Sequence, residues 1–322
     1  MLGRRVTLSD IAKELGVSVN TVSHALNGKN DISEKTKKLV CEKAMELGYI
    51  RNDSASLMRS GKSKCISVIV GDISNPHFSI MIKEIEMTAK QKGYAVLVLN
   101  TNEDEELERD AIVTSIGKNV DGIIICPVQK TKDNVEFLIK TGVPFTLIGR
   151  RFESPDTNYV ICDDEHSGYL AASYLIEKGH RNIVVFGAPL YISSSAERLA
   201  GIRRACVEAG FEIDGSNVYE LAVTMGNREE YIRSVFECGN YTAAICFSDL
   251  MALEVISAIE NNNTDIVSFD NICSKFTIPV KFTSITSSKT KMSNKAFDIL
   301  LNNIENPSCD TRHVVLSTKL VK

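Results

Sequence analysis

Beyond Lys64 the chain alternates short apolar runs with longer amphipathic stretches. The runs are CISVIVG at 65–71, YAVLVLN at 94–100, DGIIIC at 121–126, PFTLIG at 144–149, NIVVFG at 182–187, TAAICFS at 242–248 and DIVSF at 265–269. Such runs lack the apolar–polar alternation of a half-exposed strand. They therefore read as strands buried on both faces, inside sheets covered by helices on either side. The pieces between them, at 77–92, 103–117, 165–178, 194–209, 226–238 and 249–260, have the length and apolar spacing of helices. Strand–helix alternation of this kind predicts a doubly wound parallel sheet. More than ten elements exceed one comfortable sheet, so residues 64–322 are expected to form two α/β lobes with a cleft between them. The 43% apolar content can fill such cores, and no run of apolar residues is long enough to span a membrane.

The first fifty residues have a different texture. In TLSDIAKELGVSVNTVSHALN, residues 7–27, Thr7 and Asp10 can cap a first helix whose stripe Ile11, Ala12 and Leu15 stops at Gly16. Ser18 caps a second helix two residues later. Its inward positions are Val22, Ala25 and Leu26, which leaves Val19, Asn20, Ser23 and His24 on the outer side. A third helix over 34–47 starts at Ser33 and turns Leu39, Val40, Ala44 and Leu47 inward. Three short helices sharing one core, with the second presenting polar side chains, form an all-α helix-turn-helix head suited to DNA reading. A plain helical hairpin in water is the alternative. Charge favours DNA: residues 1–64 hold 12 Lys and Arg against 7 Asp and Glu, while the remainder carries −9 of the chain's net −4. A basic head on an acidic body attracts phosphate at one end. We place the head at 1–50, a polar hinge at 51–63 and the body at 64–322.

Nine cysteines are scattered singly without a CxxC or Cys/His cluster, which reads as free thiols in a reducing compartment. No metal site or cofactor is expected. The start, MLGRRVTLSD, lacks the apolar core of a secretory signal, so the expected location is the cytoplasm.

An ordered set of short motifs runs the length of the chain. The head carries T-x-x-D-I-A, G-V-S-x-x-T-V-S and L-N between Thr7 and Asn27. E-L-G-Y at 46–49 and I-S-N-P at 73–76 follow, then D-G-I-I at 121–124, G-V-P at 142–144 and K-G-H-R at 178–181. The set ends with E-R-x-x-G at 197–201, S-D-L-M-A at 248–252 and S-F-D at 268–270. From Leu8 to Leu320 the chain resembles the lac repressor and galactose repressor family of bacterial transcription regulators. The resemblance implies a periplasmic-binding-protein-like body of two doubly wound parallel-sheet lobes. It also implies a homodimer on near-palindromic double-stranded DNA, with a small effector in the cleft that changes head placement. By motif position, Val19, Asn20 and His24 would face base edges, and Thr7, Ser18, Thr21, Ser23 and Asn27 would lie near phosphates. Short hydroxyls and amides suit backbone positioning, whereas exposed Asn and His can read donors and acceptors. His24 stands where the family usually has arginine, and Met58 replaces the hinge leucine that wedges between base pairs in the minor groove. The hinge would fold on the operator. No leucine heptad follows the strand-like RHVVLSTKLV, so a dimer rather than a tetramer is expected.

Open α/β sheets bind ligands beyond the carboxyl ends of their strands. Asp72, Asp249 and Asp270 follow predicted strands, and Arg198 opens a predicted helix. Carboxylates can accept from vicinal hydroxyls, arginine can donate to the oxygens, and Phe78 or Phe247 can stack on a sugar's apolar face. A turn at Asp72, a helix cap at Asp249, a loop at Asp270 and a surface ion pair at Arg198 are the plainer readings. Arg150 and Arg151 are further candidates, and two adjacent arginines would suit an acidic or phosphorylated effector. Ser248 replaces the asparagine of the family's N-D pair. The expected function is a ligand-responsive, sequence-specific DNA-binding transcription regulator, a repressor released by a sugar-like, carbohydrate effector. A stand-alone solute-binding protein would need a signal segment. An enzyme would need a nucleophile elbow, phosphate loop, GxGxxG or HExxH, none of which is present.

Overall fold

The computed structural model describes residues 4–50, 61–221, 226–259, 263–275 and 282–321. It divides after Ser63 into two compact units.

The first unit contains helices α1 (Leu8–Leu15), α2 (Val19–Leu26) and α3 (Glu34–Glu46). A reciprocal capping box opens α1: Thr7 N donates to Asp10 Oδ2 at 2.8 Å and Asp10 N donates to Thr7 Oγ1 at 3.4 Å. Gly16 closes it at φ 64°, a left-handed conformation in which a side chain would be strained. Ile11, Val22 and Val40 are fully enclosed, and Ala12, Ala25 and Ala44 complete the core. Leu39 was expected inward but is 49% exposed. Val40 and Ala44 define the buried face of α3, and at about 100° per residue Leu39 falls well outside that arc.

The second unit has two six-stranded sheets. The first has the order β11-β5-β4-β3-β1-β2 and the second β12-β10-β9-β8-β6-β7. Their strands are β1 (Cys65–Val70), β2 (Ala95–Asn100), β3 (Gly122–Ile125), β4 (Phe145–Ile148), β5 (Tyr159–Cys162), β6 (Ile183–Gly187), β7 (Val218–Glu220), β8 (Ala243–Cys246), β9 (Asp265–Phe269), β10 (Thr283–Thr286), β11 (His313–Leu316) and β12 (Lys319–Val321). Every recorded pairing is parallel except β10 with β12. The helices are α4 (Pro76–Gln91), α5 (Glu105–Gly117), α6 (Asp133–Thr141), α7 (Asp164–Glu177), α8 (Ser193–Glu208), α9 (Arg228–Cys238), α10 (Asp249–Ala258) and α11 (Lys289–Glu305).

The chain passes between the sheets after β5, after β10 and after β11. Each sheet is thus completed by segments distant in sequence. Helix α7, which follows a strand of the first lobe, packs Ala171, Ala172 and Leu175 onto the second. Helix α11 follows a strand of the second lobe and packs Phe297 and Leu300 into the first. The central strands β1, β3 and β8 are almost wholly buried, as expected of runs covered on both faces.

Glycine permits one unusually close helix contact. A Cβ on Gly168 of α7 would land on the Arg198 carbonyl oxygen of α8, and a Cβ on Gly201 would land on the Glu165 carbonyl oxygen. The two helices are therefore interlocked at backbone distance.

Candidate functional site

In the head, α2 turns Val19, 45% exposed, and Asn20 outward, with Ser23 and His24 half-buried beside them. The hydroxyls and amide on this face are tied to one another. Ser18 Oγ lies 2.9 Å from Thr21 Oγ1, and Asn27 Nδ2 donates to the Ser23 carbonyl at 2.6 Å. Thr7 Oγ1 donates to Asp10 Oδ2 at 2.7 Å, so its side chain serves the α1 cap. His24 Nδ1 sits 2.6 Å from Asp31 Oδ2, a contact across a loop that periodicity does not predict. That hydrogen bond holds the Asp31 carboxyl below the usual carboxylate range. Met58 lies outside the described residues.

In the second unit a cleft of about 560 Å³ opens where the strands of both lobes end. Asp72 follows β1 and closes a turn, accepting from Ser74 N at 2.9 Å and Ser74 Oγ at 2.7 Å. His77 and Phe78 enter from the first turn of α4, their rings edge-on at 5.2 Å. Phe78 is 7% exposed and belongs to the core of the first lobe, although it also lines the cleft.

Arg198, from the first turns of α8, is held from several directions. Its Nε donates to Asp164 Oδ1 at 2.7 Å and its Nη1 to the Phe247 carbonyl at 2.9 Å. Its guanidinium lies over Phe247 at 4.8 Å and Phe269 at 4.2 Å. Burial pushes the Asp164 carboxyl above its usual range even with Arg198 beside it. Asp270, in a left-handed conformation at φ 97°, faces His77 across the cleft. His77 Nδ1 is 2.9 Å from Asp270 Oδ1, outside good hydrogen-bond alignment. Burial would raise the Asp270 carboxyl, but His77, Lys289 and Arg198 together outweigh it and hold the group well below the carboxylate range.

Two expectations are corrected. Asp249 does not line the cleft. It is fully buried and accepts from Ser268 Oγ at 2.6 Å, Ser284 Oγ at 2.7 Å and Ile272 N at 2.7 Å, leaving its oxygens occupied by the protein. A carboxylate can follow a strand and still turn beneath the sheet's end. Neighbouring Ser248, which caps α10 by accepting from Met251 N, lines the cleft instead. Of the adjacent arginines, Arg150 lines the cleft but is paired within the protein, and it is Arg151 that the structure places elsewhere. Arg150 grips Glu103 through Nη1 at 2.8 Å and Nη2 at 2.9 Å, a bidentate fork, and also donates to the Pro127 carbonyl. Arg151 points away to Glu197 at 2.8 Å and is not part of the cleft lining.

Sequence reasoning missed His77, Glu103, Asp164 and Lys289, all of which line the cleft. His77 meets Asp270 of the other lobe, a partner far away in sequence. Glu103 stands at φ 57° with its carboxylate folded over Gly71, where a Cβ would collide with it. Outside the cleft lining, Gln129 accepts from Ser193 N at 3.0 Å and donates to the Arg151 carbonyl at 2.7 Å.

Two α/β lobes with a cleft of apolar and charged side chains at their strand ends, on a chain that also carries a helix-turn-helix unit, define a ligand-responsive DNA-binding transcription regulator. The chain belongs to the LacI family. Residues 63–316 match the periplasmic binding proteins and sugar binding domain of LacI family, and residues 7–52 match the bacterial regulatory proteins of the lacI family. It is 30% identical over 327 residues to the HTH-type transcriptional repressor PurR of Pasteurella multocida (strain Pm70), covering 98% of this chain and 97% of that protein. It is 29% identical over 306 residues to the PurR of Actinobacillus pleuropneumoniae serotype 3 (strain JL03), covering 93% and 91%. The fold is similar to that of the lac repressor dimer bound to operator and the anti-inducer ONPF, with TM-score 0.82 and 24% identity over 99% of this chain and 98% of that one. A complex of the transcriptional regulator CelR with cellobiose matches at TM-score 0.73 and 23% identity, over 99% of both chains.

Proposed function

We propose that this protein is a repressor that binds a near-palindromic operator as a homodimer and releases it when an uncharged, sugar-like effector enters the cleft. The observation that carries this reading is the pairing of charges in the cleft. Asp270 stays ionised and can accept from hydroxyls, Arg198 is held over two aromatic rings, and Arg150 is neutralised by Glu103. A polyol with an apolar face matches such walls, whereas a phosphate would find Arg150 already occupied. Asp72, Phe78 and Phe247 complete the proposed contacts, with His77 as a gate beside Asp270.

On the head, Val19, Asn20 and His24 read base edges, while Thr7, Ser18, Thr21, Ser23 and Asn27 position the helix on phosphates. Met58 is the proposed minor-groove wedge. Exposed Ile73 and Met87, before and on α4, offer apolar surface for pairing two copies. No helix among the described residues is long and apolar enough to cross a membrane, and the proposed site of action is the cytoplasm.

The test is a thermal-shift panel of neutral sugars, sugar phosphates and purines on the full chain. A ligand at a hundred times its dissociation constant adds about 2.7 kcal/mol to stability. Neutral sugars should stabilise and then release operator DNA. Stabilisation by phosphorylated compounds or purines alone would refute the effector class.

A further inference from the structure

We propose that the effector of this chain is a disaccharide, with one ring held beside Arg198 and Asp270 and the second ring held by Arg228 and Glu254. The inference deepens the neutral-sugar reading of the cleft and rests on it. Arg228 opens α9, Glu254 lies in the second turn of α10, and both line the cleft. Arg228 Nη2 is 2.8 Å from Glu254 Oε2, and the two side chains keep 19% and 42% of their surface exposed.

Helix α10 sets the distance between the two places. Ser248, Leu250, Met251 and Glu254 all line the cleft, at the spacing of one helix face. Ser248 adjoins Phe247, whose carbonyl accepts from Arg198. At 1.5 Å per residue, Glu254 lies about 9 Å further along the helix axis. That span is longer than one pyranose ring and close to that of two joined rings, for which a cleft of about 560 Å³ has room. Leu250 and Met251 give the intervening wall an apolar surface, and Tyr191, 43% exposed, adds an aromatic face to the lining. The pair itself selects hydroxyls. Although the two side chains are close, Arg228 Nε and Glu254 Oε2 are buried without a hydrogen-bond partner. Unpaired atoms of this kind carry a free-energy cost that favours rearrangement around a ligand able to serve them. A hydroxyl placed between the two groups accepts from the guanidinium and donates to the carboxylate at once. A phosphate would suit only Arg228 and an ammonium only Glu254.

The test screens the full chain by thermal shift with disaccharides of different linkage, namely cellobiose, maltose, lactose, sucrose and trehalose, and with the glucose, galactose and fructose that compose them. Sugars that stabilise are then titrated calorimetrically into wild type, Arg228→Ala, Glu254→Ala and the double variant. One disaccharide should bind wild type at least about tenfold more tightly than either of its component sugars. Each single variant should weaken that disaccharide about tenfold, and the double variant no more than either, because both groups serve the same ring. The component sugars should bind the variants as they bind wild type. Operator affinity without sugar should also be unchanged, which reports an intact fold. A monosaccharide that binds as tightly as every disaccharide would overturn the proposal. So would disaccharide affinity that survives both substitutions, or equal weakening of one-ring and two-ring sugars, which would make the pair structural. Stabilisation by no sugar of either size would instead refute the neutral-sugar reading itself.

Discussion

His77 Nδ1 meets Asp270 Oδ1 at 2.9 Å, joining the first turn of α4 on one lobe to the end of β9 on the other across the cleft. The contact ties the lobes together within the cleft lining. A ligand hydroxyl that binds Asp270 therefore acts on the same group that holds the lobes.

Asp270 gives a pH signature. Its carboxyl is depressed in the folded state, so its contribution to stability is complete above the ordinary carboxylate pKa near 4 and is lost as pH falls further towards the folded value. Asp270→Asn should cost about 2 kcal/mol at pH 7. The gap in melting temperature between wild type and variant should close below about pH 4. A gap that widens on acidification would contradict the assigned charge state.

Asp249 is structural, and its loss should show as stability. Asp249→Ala strips the acceptor from Ser268, Ser284 and the Ile272 amide, all within 2.7 Å, in a fully buried place. Urea unfolding should report a loss of about 3 kcal/mol, in the range for breaking a buried polar network. A loss under about 0.5 kcal/mol, typical of exposed positions, would return Asp249 to the candidate ligand groups.

Gly168 carries a prediction about the cleft from outside it. A methyl group there would overlap the Arg198 carbonyl and push α8 from α7. Gly168→Ala should destabilise the protein by about 1–3 kcal/mol and weaken effector binding, because the backbone bearing Arg198 moves. Calorimetric titration would show both, whereas unchanged effector affinity would mean that the interlock does not position Arg198.

Asn20 tests the head independently of the body. Asn20→Ala should weaken cognate operator binding by about 1–3 kcal/mol per lost base contact and leave non-specific DNA binding unaltered. Equal weakening on both DNAs, measured by filter binding at fixed salt, would assign Asn20 to the backbone.

The fold was legible where burial imposed an apolar pattern. Strands β1, β3, β8 and β9 stand out because both faces are covered. Strand β10 was missed because it reads TSIT: Ser284 is buried to donate to Asp249, so a polar strand sits where an apolar one is expected. Helices α6 and α11 were also passed over. The stretch RHVVLSTKLV looked like one strand but divides into β11 and β12 on different sheets, a consequence of the third passage between lobes that local pattern cannot register. The site divides along the same line. Arg198 and Asp270 were found through strand-end and motif position, while Asp164, His77 and Glu103 needed the tertiary fold to bring their partners near. Asp249 was misplaced because sequence marks the end of a strand without saying to which side the next carboxylate turns.

Coupling between the cleft and DNA is measured most directly at Arg198. Wild-type protein and Arg198→Ala are titrated with selected operator, with and without the neutral sugar that most stabilises the wild type. Removing Arg198 strands buried Asp164 and should cost about 3 kcal/mol of stability, so binding is measured well below the melting temperature. The prediction is that the sugar weakens operator binding at least tenfold for wild type, a coupling of about 1.4 kcal/mol, and leaves Arg198→Ala unaffected on an intact operator complex. Equal release of both proteins, or no release of the wild type by any stabilising sugar, would contradict it.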